Sequence, residues 1–423
     1  MICVNDFYAV SDSDRFDLAM QNRTADGIVL IPPRVSDVEP ERDWWLIDRA
    51  ILIPENTTVI LQNCKIKLSD RCRDNFFRTA NCGLGIEDPK PIKNVHLRGE
   101  GFCVLEGADH PRATGDSSKL QHCPCPFTEE DLIAYGDWIP AERRAPGKVN
   151  FWDQHDHSYG TDALDPNESH YGDWRGIGVL FANADRFSIE NLHIVESHGW
   201  GISLEACSNG CIRGIDFDAR MSKLIDGMLM NMENQDGIDI RNGCHHIVIS
   251  DITGETGDDL IALTAIVPDK EVYRPGGSLR STHVMHNDWS RRERDIHDII
   301  IRNVIGFSYL CWVLRLLPAN TRIYNIIIDG LIDVAREIDH PHGGTMLLGD
   351  GGGYGTNHPD SMSAVTVSNV ICRSNTAITL AGFMTDSVIT NIVNESKSPD
   401  AVRVVRENGV TNVAISNIVN ANK

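Results

Sequence analysis

Ile299-Ile-Ile-Arg-Asn303-Val304, Ile326-Ile-Ile-Asp-Gly330-Leu331 and Val365-Thr-Val-Ser-Asn369-Val370 are three copies of one phrase. Apolar residues recur at every second position, the pattern of a strand with one face inward and one outward. An Asn, Asp or Gly then closes the phrase. Further copies are Phe187-Ser-Ile-Glu-Asn191-Leu-His-Ile194, Ile247-Val-Ile-Ser-Asp251-Ile252, Val388-Ile-Thr-Asn391-Ile392 and Val413-Ala-Ile-Ser-Asn417-Ile418. Cys211-Ile-Arg-Gly214-Ile215 is weaker, and Val95-His-Leu-Arg-Gly99 and Val59-Ile-Leu-Gln-Asn63 extend the series toward the N-terminus. From 191 to 417 the closing residues are separated by 23, 37, 52, 27, 39, 22 and 26 residues.

A base period of 22–27 residues, lengthened in places by insertions, marks a solenoid. Asn at a fixed place suits a sharp bend, because it tolerates left-handed backbone and stacks in ladders. The Leu-x-x-Leu-x-Leu frame of leucine-rich repeats is absent, and hairpin signals every 8–12 residues, which a sandwich needs, are sparse. These features predict an all-β right-handed parallel β-helix, one domain over 1–423. A short amphipathic helix around Asp14–Arg23 caps its open N-terminal end. Two stretches break the repeat, 109–174 and 267–295, and read as walls or lids of a groove, or as packed decoration.

The composition is 41% hydrophobic and 23% charged, which excludes wholesale disorder. A net charge of −21 argues against nucleic acid or an anionic membrane as partner. No apolar run is long enough to span a bilayer. Met1-Ile-Cys-Val-Asn-Asp6 lacks the basic-then-apolar pattern of a secretory signal, and several of the 12 cysteines lie in strand phrases as free thiols would, so a cytoplasmic location is expected.

Asn234-Gln-Asp236-Gly-Ile-Asp239-Ile240 and Gly257-Asp258-Asp259-Leu-Ile-Ala-Leu263 bring carboxylates one base period apart. Asp236 and Asp258 are separated by 22 residues, which should stack them at about 4.8 Å and converge them with Asp259. Crowded carboxylates raise one another's pKa, and that cost is useful where one must hold a proton as general acid while another acts as base. Glycoside hydrolysis needs this pairing, and no cofactor. Asp239, and Asp259 with it, also fit a turn or ladder role.

These two phrases resemble the Asn-Thr-Asp-Gly and Gly-Asp-Asp-Cys-Ile-Ala motifs of glycoside hydrolase family 28, the polygalacturonase family. Gly199-Trp-Gly-Ile-Ser-Leu-Glu-Ala-Cys-Ser-Asn-Gly210 is similar to that family's preceding coil, and Asn5–Asp12 with Gly27–Pro33 looks like the entry segment of β-helical polysaccharide enzymes. The resemblance implies that Asp258 is the general acid, that Asp236 and Asp259 hold the attacking water, and that the anomeric centre is inverted. Gln235 stands where the family has Thr, and Leu260 where it has Cys. No Gly-His-Gly follows; His283 and His286 lie at about its distance. The family's later Arg-Ile-Lys place is assigned to Arg315 in Cys-Trp-Val-Leu-Arg-Leu-Leu, which keeps the arginine and lacks the lysine.

The expected substrate contacts are therefore Asn234, Arg315, His283, His286, His198 and Trp200, and the partner is an oligo- or polysaccharide, neutral or uronate-containing. Trp138, Trp152, Trp174, His155, His157 and His170 could add stacking faces, or pack the insertion onto the helix. A wall at one groove end would favour exo-action. His155-Asp-His157, His340-Pro-His342 and Cys123-Pro-Cys125 lack partners at a zinc spacing, and no metal is expected. Two other functions remain open: a polysaccharide lyase using Ca²⁺ at the aspartates with Arg241 as base, and a non-catalytic, tailspike-like carbohydrate-binding β-helix.

Overall fold

The computed structural model describes residues 1–423 except 73, 110–173, 221, 226–227, 232–233, 267–281, 286–290, 336–342, 351–353, 355–357, 407–408 and 422–423. The chain winds as a right-handed parallel β-helix. One 15-stranded sheet carries the repeated phrase, a 10-stranded sheet is built of shorter strands, and successive coils pair in parallel in both. Burial of alternate residues builds the interior. One core column runs Val59, Leu97, Ile189, Ile212, Ile249, Ile301, Ile328, Val367, Ile389, each directly over the last. All of these are buried, and each contributes about 1.5–3 kcal/mol of apolar burial.

The eight closing residues from 191 to 417, Asn191, Gly214, Asp251, Asn303, Gly330, Asn369, Asn391 and Asn417, all have φ between 53° and 76°; Asn63 follows at 44°, and Gly99 is not left-handed. This left-handed bend is why the phrase demands Asn, Asp or Gly there. Asn amides link successive bends, Asn391 Nδ2 donating to Asn369 Oδ1 and Asn417 Nδ2 to Asn391 Oδ1, each at 3.1 Å. The long spacings also resolve. The 37-residue step holds an antiparallel hairpin, Ser222–Ile225 with Met228–Asn231. The 52-residue step holds the strand Ile261–Ile266 and the second insertion.

The capping helix spans Asp12–Gln21, two residues earlier than expected. Ser11 caps it, its hydroxyl accepting from Asp14 N at 3.1 Å, and Phe16 packs on Trp45 at 5.0 Å between ring centres. Among the described residues no helix is long and apolar enough to cross a membrane. Of the insertions, the described parts are the edges, the 3-10 turns Trp174–Gly176 and Arg291–Arg294, and the short segment 282–285. His155, His157, His170, Trp138, Trp152, Cys123, Cys125, His340 and His342 lie outside the described residues.

Candidate active site

On the short-strand sheet, the strands Ile202–Glu205, Ile238–Arg241, Ile261–Ile266 and Trp312–Ala319 stack in that order. Ile202, Ile238, Ile261 and Leu314 point inward as one column, and Leu204, Ile240, Leu263 and Leu316 as the next. The residues between them face outward. One outward row is therefore Ser203, Asp239, Ala262, Arg315, and the next begins Glu205, Arg241, Thr264. The Asp236 and Asp258–Asp259 phrases sit at the turns that lead into these strands.

The turn register differs from a simple 22-residue stack. Asp258 N donates to Gln235 O at 3.1 Å, which in a parallel ladder sets Asp258 opposite Asp236, an offset of 22, whereas Gly237 N donates to Asp259 O at 2.9 Å, which sets Asp259 opposite Asp236, the offset of 23 that the strands then keep. Two residues, Asp258 and Asp259, thus oppose the single Asp236. Gly237 permits the tight step: a Cβ there would lie 2.4 Å from Leu260 O. The expected convergence is present, but through a bulge-like slip instead of a direct stack.

Asp236 is 6% exposed, Asp239 1% and Asp259 3%, whereas Asp258 is half-buried. Burial, and then Asp258, Asp239 and Asp259, push the Asp236 carboxyl well above its ordinary range. Asp239 is pushed well up by burial and by Asp259 and Asp258, against the pull of Arg241. Burial raises Asp259 to about 7, opposed first by the Arg315 charge. Arg315 Nη1 contacts Asp259 Oδ2 at 3.3 Å, while Asp259 Oδ1 accepts from Trp312 N at 2.8 Å. Asp258 is held through its own carbonyl, which accepts from Thr256 Oγ1 at 2.7 Å and Ser308 Oγ at 2.8 Å. Its Oδ1 accepts from Asp259 N at 2.9 Å.

Several expected contacts are placed differently. His198 is buried, its Nε2 accepts from Ala108 N at 2.9 Å, and burial drops it to about 3. It is a neutral fastener for the chain entering the first insertion, and not a substrate contact. His283 is fully buried. Its Nδ1 bonds Glu205 Oε1 at 2.7 Å and its Nε2 meets Arg241 Nη2, so it too is an internal fastener. Trp200 is half-buried and carries the Arg241 guanidinium over its ring at 4.7 Å. Asn234 is exposed in a left-handed bend, φ 49°, beside the aspartate turn. His286 lies outside the described residues.

Arg315 belongs to the site, but one coil earlier than expected. Its strand pairs directly with Ile261–Ile266, so it occupies the coil next to the Asp258–Asp259 turn. The strand beyond, Gly344–Leu348, presents Leu347 in the same outward row and contains no cation.

Three features went unread in the sequence. Asp239 read as a turn residue, yet it faces outward from a strand, and its Oδ2 and the neighbouring Ser203 Oγ are buried without a partner. The alternation Ile238-Asp239-Ile240 held that signal. Glu205 anchors a strap: Oε2 accepts from Val284 N at 2.8 Å and Met285 N at 3.3 Å. Val284 and Met285 then pack with Cys82, Trp174, Leu180 and Ala182, covering the outward face of the coils below the aspartates. Finally, the Cys311 sulfur and one carboxylate oxygen each of Asp258 and Asp259 lie within 4.8 Å of one another.

Residues 173–272 match the family model described as glycosyl hydrolases family 28, and this segment contains all three expected catalytic aspartates. No curated protein matches the chain. Solved structures that share the fold include three of known origin. Endo-xylogalacturonan hydrolase from Aspergillus tubingensis is 10% identical with a TM-score of 0.50, covering 99% of this chain and 92% of that one. PfbA, a surface adhesin of Streptococcus pneumoniae, is 14% identical with a TM-score of 0.53, covering 99% and 90%. A tailspike protein mutant of E. coli bacteriophage HK620 in complex with pentasaccharide is 11% identical with a TM-score of 0.54, covering 99% and 65%. The likeness to family 28 lies in residues 173–272, the central coils of the β-helix.

Proposed function

We propose that the protein is an inverting glycoside hydrolase acting from the end of an oligosaccharide, with Asp258 as general acid and Asp236 and Asp259 as the water-holding pair. One observation carries this reading: two carboxylates of one turn oppose a third on the turn below, in a patch that shields them from bulk water. Asp258 is the most exposed member and its carbonyl accepts from two hydroxyls, which suits a group that must meet an incoming glycosidic oxygen. It transfers its proton to that oxygen as the bond to the anomeric carbon breaks. Water attacks from the opposite side and gives its proton to the Asp236–Asp259 pair, so the configuration inverts.

The strap from Glu205 to Met285 supports exo-action, because it covers the coils on the N-terminal side of the aspartates. The site's electrostatics favour a neutral sugar at the cleaved bond. Arg315 is already paired with Asp259, Leu347 follows it in the outward row, and the chain carries −21 overall. The test is a panel of neutral and acidic oligosaccharides with the product anomer read by NMR. Inverted product, lost by a factor of about 10³ in Asp258→Asn with sugar binding retained, is the expected result. Retention of configuration, an unsaturated product absorbing in the ultraviolet, or unchanged function in Asp258→Asn would each overturn it.

A further inference from the structure

We propose that Cys311 is a positioning residue for the proton donor, its S–H directed at the Asp258 carboxyl from the coil above. This rests on the hydrolase reading and adds a residue to it. The register places the thiol there. Tyr309 N donates to Thr256 O at 2.9 Å, Leu310 N to Gly257 O at 3.1 Å, and Leu260 N to Trp312 O at 3.0 Å. The turn 308–312 therefore lies directly over the turn 256–260, with Cys311 above the aspartate pair. A tether fixes it: Cys311 N donates to Ser308 Oγ at 3.0 Å, and the same hydroxyl donates to Asp258 O at 2.8 Å. Sulfur and the two carboxylates then meet within 4.8 Å.

The chemistry of that place is one-sided. Burial first, then the Asp258 and Asp259 charges and the contact with Asp258 itself, push the thiol well above its ordinary range. A thiol that stays protonated can only donate toward a carboxylate. Together with the Asp259 N–H, from which Asp258 Oδ1 accepts at 2.9 Å, it fixes the rotation of the Asp258 carboxyl. Family resemblance predicts a histidine on the coil beyond the Asp-Asp pair, and a histidine would add a charge titrating near pH 6.5. A thiol supplies orientation without that charge, so the pH behaviour of the site is left to its carboxylates.

The experiment has two arms. In the first, Cys311→Ser, Cys311→Ala and Cys311→Val are assayed on the best oligosaccharide of the panel. Serine, still a donor, should keep kcat within about 3-fold, whereas alanine and valine should lose about 10-fold in kcat with little change in KM. Valine as active as the parent, or serine as poor as alanine, would show a packing role and overturn the proposal. The second arm needs no turnover: iodoacetamide alkylation of the Cys311 peptide, followed by mass spectrometry at pH 8. Asp258→Asn should react about 10-fold faster than the parent, since one repelling charge is gone. Equal rates would overturn the proposal even in an active enzyme. A faster rate in a protein that cleaves no sugar would keep the contact and reject the hydrolase.

Discussion

Asp259 and Arg315 meet across the boundary between successive coils, Oδ2 facing Nη1 at 3.3 Å, with the guanidinium also lying 5.2 Å from the Tyr354 ring centre. This contact opposes the burial that raises Asp259 to about 7 and sets how far down in pH the patch can offer a carboxylate base.

Arg315→Gln should therefore weaken the base on the acid side. Without the cation Asp259 keeps its proton to higher pH, and the acid limb of kcat/KM should move up by about 1–2 pH units. A pH–rate profile between 4 and 9 reads the shift. An unmoved limb would remove Asp259 from the base role.

Asp239 gives a stability prediction with a definite sign. Its folded-state pKa lies above the unfolded one, so the native state holds the extra proton. That stabilisation is complete below the unfolded value of about 3.9 and is lost as pH rises through the folded value. Asp239→Asn removes the charge at constant shape. Its urea midpoint should match the parent at pH 4 and exceed it at pH 8; a gap that does not widen with pH would contradict the argument.

The strap depends on Glu205. Against its burial, His283, Arg241 and the Val284 N–H hold its carboxyl below the ordinary range. Glu205→Gln leaves Arg241 and His283 buried without that counter-charge, which should cost about 3 kcal/mol in urea unfolding. Where the strap closes the groove, the same variant should also release longer products from a polymer. Chromatography of the product lengths checks this.

The bend column should respond to geometry more than to contact. Asn391→Ala keeps a left-handed φ of 58° with a poorer residue and loses two ladder bonds, and should destabilise by about 1–3 kcal/mol. Asn391→Gly should recover roughly half, since only the bonds are lost. Equal urea midpoints for the two variants would put the whole effect in the hydrogen bonds.

The strand phrases and their bends were legible because both signals are local: alternation sets the buried face, and left-handed backbone selects Asn or Gly at one place. The site was legible as two phrases but not as an arrangement. Asp236 and Asp258 looked directly stacked because sequence distance counts residues, whereas a turn can hold one more than its neighbour. His198 and His283 looked like substrate contacts because a histidine near an acidic motif gives no sign of facing Ala108 or Glu205. Arg315 was set one coil too far because the insertion before Ile296 hides where each coil begins.

The extra residue opposite Asp236 has an implication for how such sites diversify. The core columns regain phase at Ile238 and Ile261, one step past the mismatch, so the interior does not register the change. Lengthening or shortening a bend by a single amino acid can therefore re-aim the reactive groups while every apolar contact behind them is preserved. On this scaffold, new reaction geometries are reached by small insertions and deletions at the corners, a route largely decoupled from the substitutions that would threaten folding.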